Sequence, residues 1–320
     1  MKVVVTGRIP TAGLALLHAE PRLDLVAWDE DLPVAREQLL GFVHGADALV
    51  TLLTERVDAE LLQAVGPQLR SVSNVAVGYN NIDVPECRSR NVIVTNTPGV
   101  LTDATADIAM SLILMTTRRL GEGERIIRSR MKWQWGMFYL LGTGIQAKRL
   151  GIIGMGAIGQ ALAKRANAFG MEIAYSNRGR VENSIEVGLD AIYLPLDELL
   201  ATSDVVSVNC PYSPQTHHLI DAAALATMKP TATLINTARG PIVNEAALVE
   251  ALDNNVIANA GLDVFEHEPT VHDGLLGREN VVLIPHLGSA TIETRDAMAM
   301  LAARNAIAIL RGEPAVTPVI

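Results

Sequence analysis

The stretch LGIIGMGAIGQALAKRANAF, residues 150–169, decides the fold of this chain. It begins with an apolar strand over Leu150–Ile153, continues through the three glycines Gly154, Gly156 and Gly159, and ends in a helical run. A strand, a G-x-G-x-x-G turn and a helix in this order form the context of a dinucleotide-binding βαβ unit. The first glycine permits a tight turn, the second lets the backbone approach a pyrophosphate, and the third lets the helix pack closely on the strand.

Short Val- and Ile-rich runs alternate with amphipathic segments on both sides of this stretch. The runs predicted as strands are Val3–Val5, Ala48–Leu52, Ser71–Val75, Arg149–Ile153, Glu172–Tyr175, Val205–Asn209, Thr233–Asn236 and Val281–Ile284. A chain of 320 residues also exceeds the size at which one core usually keeps growing. We therefore predict an α/β fold with two doubly wound parallel-sheet domains, Rossmann-like or flavodoxin-like, and an active site in the cleft between them.

Two long helical patterns bear on the domain organisation. One runs from Thr102 to about Ser129, with Thr102 or Asp103 as its N-cap, and we expect it to bridge the domains. The other covers about 291–310, and packing of this helix on the first domain would make that domain discontinuous. The predicted division is a substrate-binding domain at 1–98 plus 290–320 and a dinucleotide-binding domain at 99–289 that includes a dimerisation segment.

Composition and charge exclude several classes of protein. The net charge of −9 and the pI near 5.3 argue against a nucleic-acid partner. The two cysteines, Cys87 and Cys210, lie far apart without metal-ligand spacing, so we expect no metal site and a reduced compartment. Met1–Gly7 is typical of a buried strand rather than a signal peptide, and apolar stretches such as Ile108–Met115 are too short for a membrane span. We expect a soluble, cytoplasmic protein with no membrane partner.

The loop after the second strand of the nucleotide-binding unit bears on the choice of cofactor. An NAD-type site carries an acidic residue there to hold the ribose 2′-hydroxyl, whereas this chain has Ser176, Asn177, Arg178, Gly179 and Arg180. Two arginines without a neighbouring acid favour the 2′-phosphate of NADP(H), with NAD(H) possible. The alternative is that both arginines are solvated loop charges and that NADH is used without strong discrimination.

Three loops that follow predicted strands or turns each carry one reactive side chain: Arg239, Glu268 and His286. Reduction of a ketoacid needs a proton donor with a pKa near neutrality, which His286 offers. A carboxylate bonded to that imidazole would fix its tautomer and raise its pKa, and Glu268 is the candidate, with Glu266 as a competitor that we expect to be solvated. The planar guanidinium of Arg239 suits a substrate carboxylate and the developing charge on the carbonyl oxygen. The other histidines, including His217 and His218, lack such a setting.

Four motifs resemble those of the D-isomer-specific 2-hydroxyacid dehydrogenase family: GMGAIG at 154–159, TARG at 237–240, HEP at 267–269 and PHLGSAT at 285–291. The resemblance to this family covers nearly the whole chain. Within the family, NVAVGYNNID at 74–83 and the basic loop are most similar to glyoxylate/hydroxypyruvate reductases. The resemblance implies that Arg239 binds substrate, that Glu268 tunes the acid and that His286 donates the proton. It also implies that the backbone N–H groups of Val77 and Gly78 bind the substrate carboxylate.

The remaining binding candidates are assigned by combining the motifs with the resemblance. Leu52, at the end of a predicted strand, and Trp135 are further substrate-binding candidates, and Trp133 is the alternative to Trp135. The cofactor-binding candidates are Thr105, Gly154, Met155, Gly156, Ala157, Ile158, Gly159, Ser176, Asn177, Arg178, Arg180, Cys210, Pro211, Thr216, Thr237, Ala238, Asp263, His286 and Gly288.

The segment Thr102–Leu141 predicts a homodimer, because its apolar and tryptophan-rich surface exceeds what a cofactor domain needs to bury. In the family that this chain resembles, a tryptophan of one subunit approaches the active site of the other. The predicted function is therefore NADPH-dependent reduction of a small 2-oxoacid such as glyoxylate or hydroxypyruvate. Two alternatives stay open: an NADH-dependent D-lactate- or phosphoglycerate-type dehydrogenase, and a nucleotide-sensing scaffold.

Overall fold

The computed structural model describes residues 1–319 and divides the chain into two compact units. The first unit comprises Met1–Leu101 and Ser289–Ile320, and the second comprises Thr102–Gly288. Each unit contains one sheet, and all neighbouring strands within each sheet run parallel. The prediction of two parallel-sheet α/β domains is confirmed.

The regular elements alternate along the chain. In order they are β1 (Lys2–Val5), α1 (Thr11–His18), β2 (Asp24–Ala27), α2 (Arg36–Phe42), β3 (Ala48–Thr51), α3 (Ala59–Val65), β4 (Ser71–Asn74), α4 (Val84–Ser89), β5 (Ile93–Thr95), α5 (Thr102–Thr117), α6 (Leu120–Arg128), β6 (Arg149–Ile153), α7 (Ala157–Ala168), β7 (Glu172–Ser176), α8 (Asn183–Leu189), β8 (Ala191–Tyr193), α9 (Leu196–Thr202), β9 (Val205–Val208), α10 (Ala222–Thr227), β10 (Thr233–Asn236), α11 (Glu245–Asp253), β11 (Asn259–Leu262), β12 (Val281–Leu283) and α12 (Ile292–Arg311). Short 3₁₀ turns lie at Gly240–Ile242 and Asp273–Leu275.

The first unit is a five-stranded sheet in the order β2-β1-β3-β4-β5 with helices on both faces. Successive strand residues point to opposite faces, so Val3 and Val5 pack in one cluster and Val4 in the other. The first cluster includes a row of small residues on α12, Ala299, Ala302, Ala303 and Ala306. This row lets α12 approach closely, and a Cβ atom on Gly13 of α1 would lie only 2.7 Å from Ala299. The C-terminal helix therefore completes the core of the N-terminal sheet.

The second unit is a seven-stranded sheet in the order β12-β11-β10-β9-β6-β7-β8. The strand order reverses at β6, which pairs with β7 on one side and β9 on the other. Such a reversal opens a crevice at the carboxyl ends of the strands, where ligands of open α/β sheets bind. The glycine pattern of residues 154–159 follows β6 directly, at this crevice.

The prediction of one continuous helix over 102–129 is wrong, because the structure has two helices, α5 and α6, in this range. Thr102 is the first residue of α5 and Asp103 lies in its first turn, so neither precedes the helix as a cap. The helix ends at Thr117, whose carbonyl oxygen accepts a hydrogen bond from Thr143 N–H at 2.7 Å. Arg119 then adopts a left-handed conformation with φ of 52° before α6 begins. The prediction for 291–310 agrees closely with α12, and Thr291 caps that helix by accepting from Thr294 N–H.

Four strands were not predicted: β2, β5, β8 and β11. Three of them are edge strands, and their short sequences carry little hydrophobic pattern. No helix within residues 1–319 is long and apolar enough to cross a membrane.

Candidate active site

Apart from Thr105 on α5 and Trp135 between α6 and β6, the candidate residues of the second unit lie at or after the carboxyl ends of six neighbouring strands. Parallel strands bring these ends to one edge of the sheet. The loops concerned begin at Gly154 after β6, Asn177 after β7, Asn209 after β9, Thr237 after β10, Asp263 after β11 and Ile284 after β12. The sheet thus gathers the predicted cofactor and catalytic positions of this unit along one edge.

The glycine loop has a geometry that only glycine permits. Gly154 has φ of +101°, and a Cβ atom there would lie 2.6 Å from the backbone nitrogen of Cys210. A Cβ atom on Gly159 would lie 2.3 Å from the carbonyl oxygen of Gly154. Gly156 instead faces open space, which leaves its backbone accessible to a ligand at the N-terminus of α7. Gly154 and Gly159 therefore have the tight-turn and close-packing geometry that the fingerprint predicts, while the approach of a pyrophosphate to Gly156 stays a prediction.

The loop after β7 is held by a network around Glu186. Arg180 donates two hydrogen bonds to this carboxylate, at 3.1 and 2.8 Å, and Tyr175 Oη donates a third at 2.5 Å. These partners hold the pKa of Glu186 below its usual range. Arg178, by contrast, is exposed and makes no hydrogen bond or ion pair within residues 1–319. Asn177 accepts from Met155 N–H at 2.8 Å and so ties this loop to the glycine loop.

His286 and Glu268 form a hydrogen-bonded pair, with 2.7 Å between Nδ1 and Oε2. The second carboxylate oxygen of Glu268 accepts from Phe265 N–H at 3.0 Å. Burial opposes ionisation of Glu268, but the hydrogen bond and charge of His286, the Phe265 N–H and the charge of Arg239 together lower the pKa of Glu268. Both side chains are about one third exposed, and Nε2 of His286 makes no hydrogen bond within residues 1–319.

The loop that carries His286 is fixed by a buried carboxylate. Asp263 is fully buried, and its two oxygens accept from Leu287 N–H at 2.5 Å and Gly288 N–H at 2.8 Å. Burial raises the pKa of Asp263, against these two hydrogen bonds. Thr105 of α5 donates to the carbonyl oxygen of Gly288 at 3.1 Å. Asp263 and Thr105 therefore position the loop in which His286 adopts a left-handed φ of 51°.

Arg239 lies on a loop that packs directly against the loop of Glu268. A Cβ atom on Gly240 would lie 1.8 Å from the carbonyl carbon of Phe265, so only glycine fits between the two backbones. The Arg239 guanidinium donates to Ala238 O at 2.6 Å. Burial lowers the pKa of Arg239, while the charge of Glu268 opposes that effect. Arg239, Glu268 and His286 thus belong to one electrostatic group.

Two buried polar atoms at this edge make no hydrogen bond within residues 1–319: Thr237 Oγ1 and Asn209 Oδ1. Buried polar atoms are normally satisfied, so these two are available as hydrogen-bond partners for a polar ligand at this edge. They follow β10 and β9, which are neighbours in the sheet. Thr216 instead is used locally, where it accepts from Ser213 N–H at 2.7 Å and donates to Pro211 O at 2.9 Å.

In the first unit, the loop after β4 presents two backbone N–H groups. Asn96 donates to Val77 O at 2.8 Å, and Asn74 donates to Gly78 O at 2.9 Å. The N–H groups of Val77 and Gly78 make no hydrogen bond to any of residues 1–319. Leu52 follows the neighbouring strand β3, and its N–H donates to Glu55 at 2.6 Å. Fixed carbonyls with unoccupied N–H groups are typical of an anion-binding loop.

Sequence reasoning was wrong about Glu266 and gave no role to His218. Glu266 is largely buried rather than solvated, and its Oε1 lies 2.6 Å from Nε2 of His218. No local motif marks this pair, because the two residues are 48 positions apart. Within residues 1–319 no group of three or more His, Cys, Asp or Glu side chains could hold a metal ion.

Comparison with known proteins decides the family. Residues 110–288 match the NAD-binding domain of D-isomer specific 2-hydroxyacid dehydrogenases. The chain belongs to this family of oxidoreductases. The dehydrogenase is 47% identical over 317 residues to the glyoxylate reductase of Thermococcus onnurineus, a match that covers 98% of this chain and 93% of that protein.

Two solved structures are similar to the dehydrogenase over almost their full lengths. A glyoxylate reductase from Paecilomyes thermophila matches with a TM-score of 0.89 and 35% identity, covering 100% of this chain and 98% of that one. An NADPH-dependent glyoxylate/hydroxypyruvate reductase from Sinorhizobium meliloti, in complex with NADP and malonate, matches with a TM-score of 0.86 and 36% identity, covering 99% and 96%. The family resemblance inferred from the motifs is confirmed.

Proposed function

We propose that this dehydrogenase uses NADPH to reduce a small 2-oxoacid, glyoxylate or hydroxypyruvate, to the 2-hydroxyacid, of D configuration where the product is chiral. The observation that carries the proposal is the 2.7 Å hydrogen bond between Glu268 and His286, which lies in one electrostatic group with Arg239. The names of the similar reductases support the choice of substrate.

A nicotinamide cofactor fits the residues of the second unit. The cradle at Gly154 and Gly156 leaves backbone N–H groups at the start of α7 for a pyrophosphate. Thr237 Oγ1 and Asn209 Oδ1 are buried polar atoms that a bound dinucleotide would satisfy. Ser176, Cys210 and Pro211 lie at the same strand ends and complete the proposed binding residues. When bound, the cofactor supplies a hydride to the carbonyl carbon of the substrate.

The reaction also requires a proton at the carbonyl oxygen, and His286 is the proposed donor. Its Nδ1 is bonded to Glu268, so Nε2 carries the proton that is transferred. Because the pKa of Glu268 is lowered, this carboxylate stays ionised and stabilises the protonated imidazole before transfer. Arg239 binds the substrate carboxylate and stabilises the negative charge that develops on the carbonyl oxygen.

The preference for NADPH rests on Arg178. This side chain is exposed and unpaired within residues 1–319, so it is available to a 2′-phosphate. Arg180 was predicted to share that role, but its guanidinium is already engaged by Glu186 and lies 5.7 Å above the ring of Tyr193. We therefore propose that Arg178 provides the main charge for the phosphate and that Arg180 orders the loop.

The two units have separate proposed roles. A substrate-binding domain at 1–98 plus 290–320 contributes Leu52 and the N–H groups of Val77 and Gly78, which bind the substrate carboxylate. A dinucleotide-binding domain at 99–289 contributes the cofactor site and the three reactive side chains. The unoccupied N–H groups of the loop after β4 support the first assignment.

We further propose that the protein forms a homodimer through the segment Met131–Leu141. Its exposed apolar side chains are Met131, Trp133, Trp135, Met137, Phe138, Tyr139 and Leu141. An exposed segment so rich in large apolar side chains suits an interface, and a second copy of the same chain is its proposed occupant. Trp135, which is 75% exposed, is the proposed contributor to the partner's substrate pocket. Light scattering tests the dimer, and a monomer at working concentrations would contradict it.

The decisive experiment follows the near-ultraviolet absorbance of NADPH and, separately, NADH with glyoxylate, hydroxypyruvate or pyruvate. Faster oxidation of NADPH with the first two substrates is the expected result. Faster oxidation of NADH would contradict the cofactor preference and favour a D-lactate- or phosphoglycerate-type enzyme. Tight nucleotide binding without oxidation would contradict the enzyme proposal and favour a nucleotide-sensing protein.

A further inference from the structure

A polar network beside the reactive group has no part in the mechanism above. It comprises His218 from the loop before α10, Asn244 and Glu245 at the start of α11, and Glu266 from the loop after β11. All four belong to the second unit. Glu266 lies two residues from Glu268, so the network and the reactive pair share one loop.

The hydrogen bonds of His218 fix which of its nitrogens carries the proton toward Glu266. The Oδ1 atom of Asn244 accepts from Ala247 N–H at 2.9 Å as the helix cap. This capping bond turns the Asn244 amide nitrogen toward Nδ1 of His218, 3.3 Å away. Nδ1 must therefore accept, and Nε2–H donates to Glu266 Oε1 at 2.6 Å. The imidazole thus bridges two loops with both of its nitrogens occupied.

Glu266 is held at three points. Besides the bond from His218, its Oε2 accepts from Glu245 N–H at 3.2 Å, and its own N–H donates to Glu245 Oε1 at 2.8 Å. Burial opposes ionisation, but the bonds from His218 and the Glu245 backbone lower the pKa of Glu266. A largely buried carboxylate with this many partners resists displacement, because moving it would leave polar groups unsatisfied.

The loop held in this way is the one that presents Glu268. The backbone N–H of Phe265 donates to Glu268, and the Phe265 backbone fills the space beside Gly240, next to Arg239. The backbone N–H of His218 donates to Pro241 O at 2.9 Å, which connects the Arg239 loop to the same network. A shift of residue 266 would consequently move Glu268 relative to His286 and disturb the packing beneath Arg239.

We propose that His218 and Glu266 are positioning residues for the reduction: their hydrogen bond holds the 265–268 loop so that Glu268 meets His286 and Arg239 lies beside them. The inference rests on the proposed function. The pair is therefore expected to affect turnover and not to affect the glycine loop proposed to bind the cofactor.

The test compares His218→Leu, which removes both hydrogen bonds, with His218→Gln, whose amide N–H can still donate to Glu266. His217 is the matched control, because its exposed ring stacks on that of His218 at 3.9 Å between centroids and makes no bond to Glu266. For each variant, kcat and KM for glyoxylate are measured with NADPH, the Kd of NADPH is measured by fluorescence, and a crystal structure gives the distance from Glu268 Oε2 to His286 Nδ1.

For His218→Leu we expect a fall in kcat of about 10- to 100-fold, because a displacement near 1 Å can cost that much in rate. The Kd of NADPH stays unchanged, the distance from Glu268 to His286 lengthens, His218→Gln recovers most of the rate, and His217→Leu behaves as the wild type. Should His218→Leu fail to fold, Glu266→Gln with the same readouts replaces it.

An unchanged kcat in a folded His218→Leu or Glu266→Gln protein would overturn the inference, as would an unmoved Glu268 in its crystal structure. Equal losses in kcat and NADPH affinity without recovery in His218→Gln would also overturn it, because they indicate a general loss of structure. A wild-type protein that reduces no 2-oxoacid would refute the proposed function instead, and the crystallographic distance would still test the positioning.

Discussion

Replacing Glu268 by Gln removes one charge from the reactive group at nearly constant volume. His286 must carry protons on both nitrogens before it can donate one, and its Nδ1–H then needs an acceptor 2.7 Å away. A glutamine amide has only one oxygen, whereas Glu268 uses one oxygen for His286 and the other for Phe265 N–H. Either the protonated imidazole or the Phe265 N–H therefore loses its acceptor in the variant.

The size of the effect follows from the charge separation. Two unit charges about 4 Å apart attract by about 4 kcal/mol at an effective dielectric constant of about 20. That energy corresponds to a factor of about 1,000 in rate, at about 1.36 kcal/mol per tenfold change. The side chains of Glu268 and His286 are 36% and 32% exposed, so solvent screening reduces the expected loss to about 10- to 100-fold.

The assay is kcat/KM for glyoxylate reduction. We expect kcat/KM to fall about 10- to 100-fold in Glu268→Gln, because proton transfer needs the protonated imidazole and the variant stabilises it less. Glu198→Gln, which alters an exposed carboxylate in the same unit, is the matched control. A wild-type kcat/KM in Glu268→Gln would refute the role of this carboxylate.

Three further predictions concern the cofactor, the loop packing and acid stability. Arg178→Ala should raise the KM of NADPH by about 10-fold or more and leave the KM of NADH unchanged, since a charge-assisted hydrogen bond contributes about 1.5–3 kcal/mol. Arg180→Ala should raise the KM of NADPH less. Equal effects of Arg178→Ala on the KM of both cofactors would contradict the assignment. Gly240→Ala should lower the free energy of unfolding by about 1–3 kcal/mol or more in guanidinium titrations, because its Cβ atom has no room; wild-type stability would contradict the packing. The pKa of Asp204 is lowered, with burial opposing and the Arg149 N–H and Lys229 favouring ionisation. The ionised Asp204 therefore stabilises the folded state above the unfolded-state pKa, and this stabilisation is lost as pH falls through the lower folded-state pKa. The difference in free energy of unfolding between wild type and Asp204→Asn should shrink below about pH 4. A difference that stays constant with pH would contradict this prediction.

The sequence predicted the interior strands of both sheets where they are rich in Val and Ile, but it did not predict β11. That strand reads NAGL, and Gly261 weakens its pattern. A Cβ atom at Gly261 would lie 2.9 Å from Ile235 and 3.2 Å from Leu112, so the glycine is required by a helix that packs across the sheet. The break in the helix after Thr117 could not be predicted from the sequence either, because the hydrogen bond at the end of α5 comes from Thr143, 26 residues along the chain.

The candidate site shows the same division between local and distant information. Gly154, Gly156 and Gly159 could be predicted individually, because one contiguous motif defines their roles. The pairing of Arg180 with Glu186 could not be predicted from the sequence. Neither the charge of an arginine nor its spacing in the sequence shows whether it pairs with a carboxylate of the protein or is available to a ligand. His218 and Glu266 needed the tertiary structure for the same reason.

The return of α12 to the first unit has a consequence for the order in which the chain folds during synthesis. The second unit is continuous in sequence and has all of its strands once residue 283 has been made. The N-terminal sheet, although translated first, has the face of Val3, Val5 and Val50 covered only in part, by α1, until Ala299–Leu310 has left the ribosome. The earliest residues of this protein are therefore among the last to be fully shielded from water, and a nascent chain that stops before α12 presents part of an apolar sheet face to chaperones and proteases.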